Sequence, residues 1–125
     1  NVLYNLYDPV ETTEQYILEL KYMITLTAEA AKQIRQSAKE SNLEGLPLRL
    51  AGTKNDDGSI HYGMGFDDVN EGDTTYTSEG VDIIVAPTSK LNLDGMTVDY
   101  VELEPGKPQF IFINPNDANY TPPAE

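Results

Sequence analysis

The stretch that most constrains this chain runs from Gly80 to Val101, GVDIIVAPTSKLNLDGMTVDYV. Val81, Ile83, Ile84 and Val85 form a short β-branched apolar run, the pattern of a buried strand. Pro87 ends it, because proline offers no N–H to a ladder and its fixed φ suits the first position of a helix. Thr88 to Leu93 has room for about one and a half helical turns, with Leu91 and Leu93 expected to point inward. Asp94-Gly95 is a turn signal, since glycine takes positive φ without strain. Met96 to Val101 then alternates into a second strand, with Met96, Val98 and Tyr100 on one face.

The remainder fits around this unit. Ile24 and Leu26 predict a short first strand, and Thr27 is the expected N-cap of a helix whose first turn carries Glu29. Ala28, Ala31, Ile34 and Ala38 give that helix a packed face of small residues, and Asn42, Gly45 and Pro47 mark its end. Leu46 to Ala51 reads as a strand with Leu46, Leu48 and Leu50 inward, followed by a loop over Thr53 to Ser59. Asp57-Gly58 in that loop is a short hairpin signal. Ile60 to Phe66 reads as a strand with Ile60, Tyr62, Met64 and Phe66 on one face, Asp67 to Asp73 as an acidic turn, and Thr74 to Thr77 as a half-exposed strand. A turn over Pro105, Gly106 and Pro108 leads into a last strand, Gln109 to Ile113, and the tail from Asn114 is irregular. Short strands, tight turns and one main helix predict an α+β fold that is mainly β: a small sandwich or mixed sheet with the helix packed on it.

The order and spacing of these pieces carry a resemblance. Met23-Ile24-Thr25-Leu26-Thr27 with the alanines that follow, Leu48-Arg49-Leu50, Tyr62-Gly63, Phe66-Asp67-Asp68, Leu93-Asp94-Gly95, Val98-Asp99-Tyr100-Val101 and Asn114-Pro115-Asn116 are similar to the A-type iron–sulfur carrier family, HesB/IscA/SufA-like. The resemblance spans Met23 to Asn116 and implies a compact HesB-like β-sandwich over residues 23–116. Residues 1–22, rich in tyrosine (Tyr4, Tyr7, Tyr16, Tyr22) and able to form a short helix over Glu14 to Leu20, are then an N-terminal extension. It reads either as a partner-binding arm or as a poorly ordered segment. Residues 117–125 are the expected flexible tail.

One part of the pattern is missing. The family binds its cluster through three cysteines, and this chain has none. Counting from Tyr62 and Asn114 places the family's cysteine positions at Asp57, Thr121 and Pro123. Proline ligates nothing, and aspartate and threonine are hard oxygen donors where a cluster needs soft thiolates. Asp57 and the only histidine, His61, are candidates for a weak hard-metal site; the alternative is a strand histidine with no ligand role. The resemblance therefore implies no cofactor and a non-catalytic binding or regulatory/accessory protein. Its cysteine-free relatives, encoded beside dissimilatory sulfite reductase genes, imply service to sulfur oxidation (the dsr system). The alternative is an iron or iron–sulfur carrier that uses non-thiolate or partner-supplied ligands.

Charge and composition narrow the partners. The formal net charge is −13 over 125 residues, which repels phosphate backbones and argues against direct nucleic-acid binding. Three of the eight basic residues, Lys32, Arg35 and Lys39, lie on the predicted helix, as a docking stripe for an acidic partner or as a solvated face. No apolar run approaches the ~20 residues of a membrane span, and no signal-peptide pattern opens the chain, so a cytoplasmic location is expected. No Gly-x-Ser-x-Gly and no phosphate-cradling glycine loop is present, and no enzyme is expected. Without interface cysteines, and with like charges facing each other, a monomer is expected. Because the family-like core begins at Met23, a truncation starting there should keep its thermal midpoint within a few degrees. A loss on the order of 10 °C in calorimetry would show that residues 1–22 pack on the core.

Overall fold

The computed structural model describes residues 22–122, so the helix expected over Glu14 to Leu20 lies outside the described residues. The elements are β1 (Thr25–Leu26), α1 (Ala28–Glu40), β2 (Leu48–Lys54), β3 (Ile60–Phe66), β4 (Thr74–Ser78), β5 (Val81–Val85), α2 (Pro87–Leu93), β6 (Thr97–Glu104) and β7 (Lys107–Ile113). They form a three-stranded sheet ordered β1-β6-β7 and a four-stranded sheet ordered β3-β2-β5-β4. Pairing is parallel at β1/β6 and β2/β5 and antiparallel elsewhere. Leu48, Leu50, Ile83 and Val85 of one sheet share a core with Ile24, Leu26, Met96 and Val98 from the other side. The fold is α+β and mainly β, as the sequence predicts. Among the described residues no helix is long and apolar enough to cross a membrane.

Thr27 caps α1 as expected: its hydroxyl accepts from the Ala30 N–H at 3.1 Å and donates to Asp99 at 2.6 Å, tying the helix start to β6. The buried face is Ala30, Ala31, Ile34 and Ala38, so Ala30 replaces the expected Ala28, which is exposed. Ala28 is six residues from Ile34, about two-thirds of a turn round the helix, whereas Ala30 is one turn from it. The same geometry corrects α2. Leu93 is fully buried and Leu91 is 80% exposed, because residues two apart point to opposite sides of a helix. The last strand starts earlier than expected, at Lys107. Pro108 is a strand residue there, which an edge strand tolerates.

Two features of the four-stranded sheet position everything downstream. The first is where β2 and β5 part. They pair at Leu48–Ile83 and Arg49–Ile84, and α2 then takes the place of β5 beside β2. The ladder bonds lost at Gly52 are replaced by α2 side chains: the Gly52 N–H donates to Ser89 Oγ at 3.1 Å and its carbonyl accepts from Asn92 Nδ2 at 2.9 Å. The second is Arg49, which points away from the core that Leu48 and Leu50 enter. It donates to Asp67 at 2.6 Å, to both Asp73 oxygens at 3.0 and 2.8 Å, and to the Asp68 carbonyl at 3.0 Å. The segment from Asp67 to Asp73, expected as a plain acidic turn, is thus a loop clasped on one guanidinium. Arg49 holds both carboxyls below the usual carboxylate range.

Gly52 permits the docking of α2. A Cβ there would lie 2.6 Å from Leu93 Cδ2 and 3.2 Å from Ile60 Cγ2, both in the core. Gly52→Ala should cost about 1–3 kcal/mol in denaturant unfolding, as an overpacked core position does. Gly63→Ala, whose Cβ would meet only Ala51 Cβ at 3.6 Å, should be close to neutral. Equal losses for the two variants would contradict this account of α2.

Candidate functional site

The loop that carries Asp57 joins β2 to β3 and spans Asn55–Ser59. It is shorter than the loop expected over Thr53 to Ser59, because β2 runs on to Lys54. The Gly58 N–H donates to the Asn55 carbonyl at 3.0 Å, and the Asn55 N–H donates to the Ser59 carbonyl at 2.8 Å. Gly58 has φ +86°, while Asp57 has no positive φ, so the pair does not form the primed turn a two-residue hairpin favours. The Asp57 carboxylate turns onto its own loop. It accepts from the Ser59 hydroxyl at 2.5 Å and from the Ser59 N–H at 3.0 Å, and these bonds hold its carboxyl below the usual range.

The chain after β7 runs back to this loop, guided by asparagines. Asn114 is 1% exposed. Its Nδ2 donates to the Asn92 carbonyl at 2.8 Å and to the Tyr62 hydroxyl at 3.1 Å, and its Oδ1 accepts from the Asn116 N–H. Asn116 Nδ2 donates to the Asp94 carbonyl at 2.8 Å. The two side chains thereby satisfy carbonyls at the C-terminal end of α2, which a helix leaves unpaired. Tyr62, stacked on Phe112 with ring centroids 4.4 Å apart, donates its hydroxyl to Asp117 Oδ2 at 2.7 Å. Burial, and after it the Asp117 bond, push the Tyr62 phenol up to about 12. The Asn119 N–H, bonding Oδ1, and the Tyr62 hydroxyl keep the Asp117 carboxyl below the usual range. The Ala118 N–H then donates to the Gly58 carbonyl at 3.0 Å.

The positions matched to the family's cysteines are only partly gathered. The tail meets the Asp57 loop at Gly58 and Ala118, where a Cβ on Gly58 would lie 3.2 Å from the Ala118 Cβ. Thr121 is exposed and lines a cavity of about 230 Å³ with Phe112, Asp117 and Tyr120. Pro123 lies outside the described residues. His61 is an exposed β3 residue opposite Thr53. Among the described residues no three His, Cys, Asp or Glu side chains converge as a metal-ligand set. The donors at these positions do not fit an iron–sulfur cluster. One carboxylate is engaged by Ser59, one residue is a hydroxyl, the third has no side-chain donor, and the sequence contains no thiol. Lys32, Arg35 and Lys39 are exposed on α1, and the Arg35 guanidinium is committed to the Glu79 carbonyl at 2.7 Å.

The Asn114–Tyr62–Asp117 network is absent from the sequence reading, which leaves Asn114 at the head of an irregular tail. The usable signal was Asn-Pro-Asn directly after an apolar strand. An asparagine there has short-range backbone partners to seek.

Against known proteins, the iron–sulphur cluster biosynthesis family matches residues 23–119. The iron–sulfur cluster insertion protein ErpA of Mannheimia succiniciproducens is 37% identical over 94 residues, 74% of this chain and 82% of that protein. The crystal structure of Escherichia coli SufA, involved in biosynthesis of iron–sulfur clusters, has a TM-score of 0.60 at 25% identity, covering 74% of this chain and 86% of SufA. IscA with a [2Fe-2S] cluster gives 0.61 at 25% identity, covering 77% and 86%. With its sandwich, its Asn-Pro-Asn anchor and this match over most of its length, the chain belongs to the iron–sulphur cluster biosynthesis family.

Proposed function

We propose that this protein is a non-catalytic accessory protein, one that keeps the A-type carrier fold, holds no cluster of its own and acts by binding another protein as a monomer. The observation that supports the reading is the state of the positions matched to the family's cysteines: Asp57 Oδ1 accepts from Ser59, and the tail is bonded to Tyr62 and Gly58. An iron–sulfur cluster requires thiolates, which supply soft donors and negative charge together. With no cysteine in the sequence, the surface of the sandwich is what remains to act through. The assignment to sulfur oxidation rests on sequence resemblance alone. A second reading, a carrier completed by a partner's ligands, draws on the relatives, which include a cluster insertion protein and IscA with a [2Fe-2S] cluster.

Anaerobic reconstitution with ferrous iron and sulfide separates the two. The purified protein should stay colourless, and a stoichiometric visible chromophore would sink the proposal. Reconstitution beside a cysteine-bearing partner protein tests the second reading, which needs a cluster to appear only in the mixture. The triple variant Asp57→Cys, Thr121→Cys, Pro123→Cys should gain iron and sulfide where the parent gains none. Adding Tyr62→Phe, which removes the Tyr62 bond to Asp117 Oδ2 and leaves the ring to stack on Phe112, should raise the yield further. A folded triple variant that stays colourless with Tyr62→Phe as well, and with the tail cysteines shifted by one residue, would mean that the matched ligand positions are wrong or that the Asp57 loop has closed the site.

A further inference from the structure

A second concavity lies away from the tail, between the C-terminal half of α1 and the end of the four-stranded sheet where β2 begins. Its volume is about 390 Å³, within the roughly 300–1,000 Å³ typical of sites that bury a ligand or an anchoring side chain. Its lining is mixed: apolar side chains come from Ile34 and Ala38 of α1, Leu46 of the chain entering β2, Phe66 of β3, Val69, and Ile84 of β5, with polar groups between them. Val69 is 60% exposed, and the loop that carries it is fixed by the bonds from Arg49 to Asp67, Asp68 and Asp73. An apolar side chain is therefore held open to solvent by an ionic clasp at the rim of the groove.

Three charged side chains line the groove: Arg35, Glu44 and Asp82. The Arg35 guanidinium is taken up by the Glu79 carbonyl. Asp82 accepts from the Thr77 hydroxyl at 3.0 Å, and neither Glu44 nor Asp82 belongs to an ion pair among the described residues. Two carboxylates that belong to no ion pair thus share the groove with one cation, Arg35, in a chain whose formal net charge is −13. We infer that this groove is the docking site for a partner protein segment that presents apolar side chains between lysines or arginines. The apolar residues fill the groove between Val69 and Ala38, and the flanking cations meet Glu44 and Asp82. The overall negative charge steers such a segment inward and repels acidic competitors. Of the three basic residues on α1 only Arg35 lines the groove; Lys32 and Lys39 lie outside it. The inference rests on the reading of the chain as a protein-binding accessory, but its test does not use cluster reconstitution, so either can fail without the other.

The test titrates the full chain with a blocked hexapeptide, Lys-Leu-Leu-Lys-Leu-Lys, at near-physiological salt, following backbone amide shifts by NMR. Shifts should cluster at Ala38, Leu46, Val69 and Ile84, and the counterpart with glutamate for lysine should bind at least tenfold more weakly. Val69→Ser should weaken the lysine peptide at least fivefold, and so should the pair Glu44→Gln, Asp82→Asn. The pair Glu102→Gln, Glu104→Gln removes the same charge from exposed β6 positions and should change binding less than twofold. Shifts scattered over the acidic surface, equal losses from both charge-neutralised pairs, tighter binding of the glutamate peptide at Lys32 and Lys39, or no binding would each overturn the assignment.

Discussion

The contact on which the rest of the molecule depends is the seating of α2 on Gly52. Where β5 leaves β2, the strand would have buried an unpaired N–H and carbonyl, a penalty comparable to lost hydrogen bonds. Ser89 and Asn92 remove it, and the missing side chain of Gly52 lets Leu93 close onto the sheet. Once α2 is fixed, its C-terminal carbonyls become fixed acceptors. Asn114 and Asn116 bond to them, Asn114 also engages Tyr62, and Asp117 completes the link to the β3 strand. The tail is placed through a series of local satisfactions that begins with one glycine.

This is also where the sequence was readable and where it was not. The order of strands and helices followed from apolar alternation, from Pro87 and from Thr27, all of which act within a few residues of themselves. Two of the differences share a cause: they depend on what a side chain meets far along the chain. Arg49 is an ordinary strand residue until Asp67 and Asp73 are brought beside it. Asn114 opens an irregular tail until Asn92 and Tyr62 arrive at its amide. Leu91 was an avoidable error, since helical periodicity alone separates it from Leu93. The Asp57-Gly58 pair favoured a tight turn, and the Asp57–Ser59 bonds within a longer loop prevailed.

The fold is that of the iron–sulphur cluster biosynthesis family, in a chain without cysteine. In such a frame a thiolate must project free to reach metal. At position 57 the carboxylate is instead a local loop brace, and the nearby tail donates a backbone N–H to the same loop. The tail's course is set by Asp117, Asn114 and Asn116, through their bonds to Tyr62 and to the Asn92 and Asp94 carbonyls.

The distribution of charge then decides which face of the frame is free to act. Most cations among the described residues are occupied locally: Arg49 by Asp67 and Asp73, Lys90 by Asp94, Lys107 by Glu104, and Arg35 by a carbonyl. The carboxylates far outnumber them, 21 acidic to eight basic residues, so many acids have no partner within the chain. An acid on an open, convex surface is fully hydrated and gains little from a passing cation. An acid beside a concave apolar wall is different, because a ligand that fills the groove also excludes water from the pair and strengthens it. Glu44 and Asp82 beside Val69 and Ile84 combine both conditions, and the clasp on Arg49 keeps that wall in place without the groove being filled. The same arginine that looked incidental in strand β2 thus links the stability of the sheet to the shape of the surface it offers.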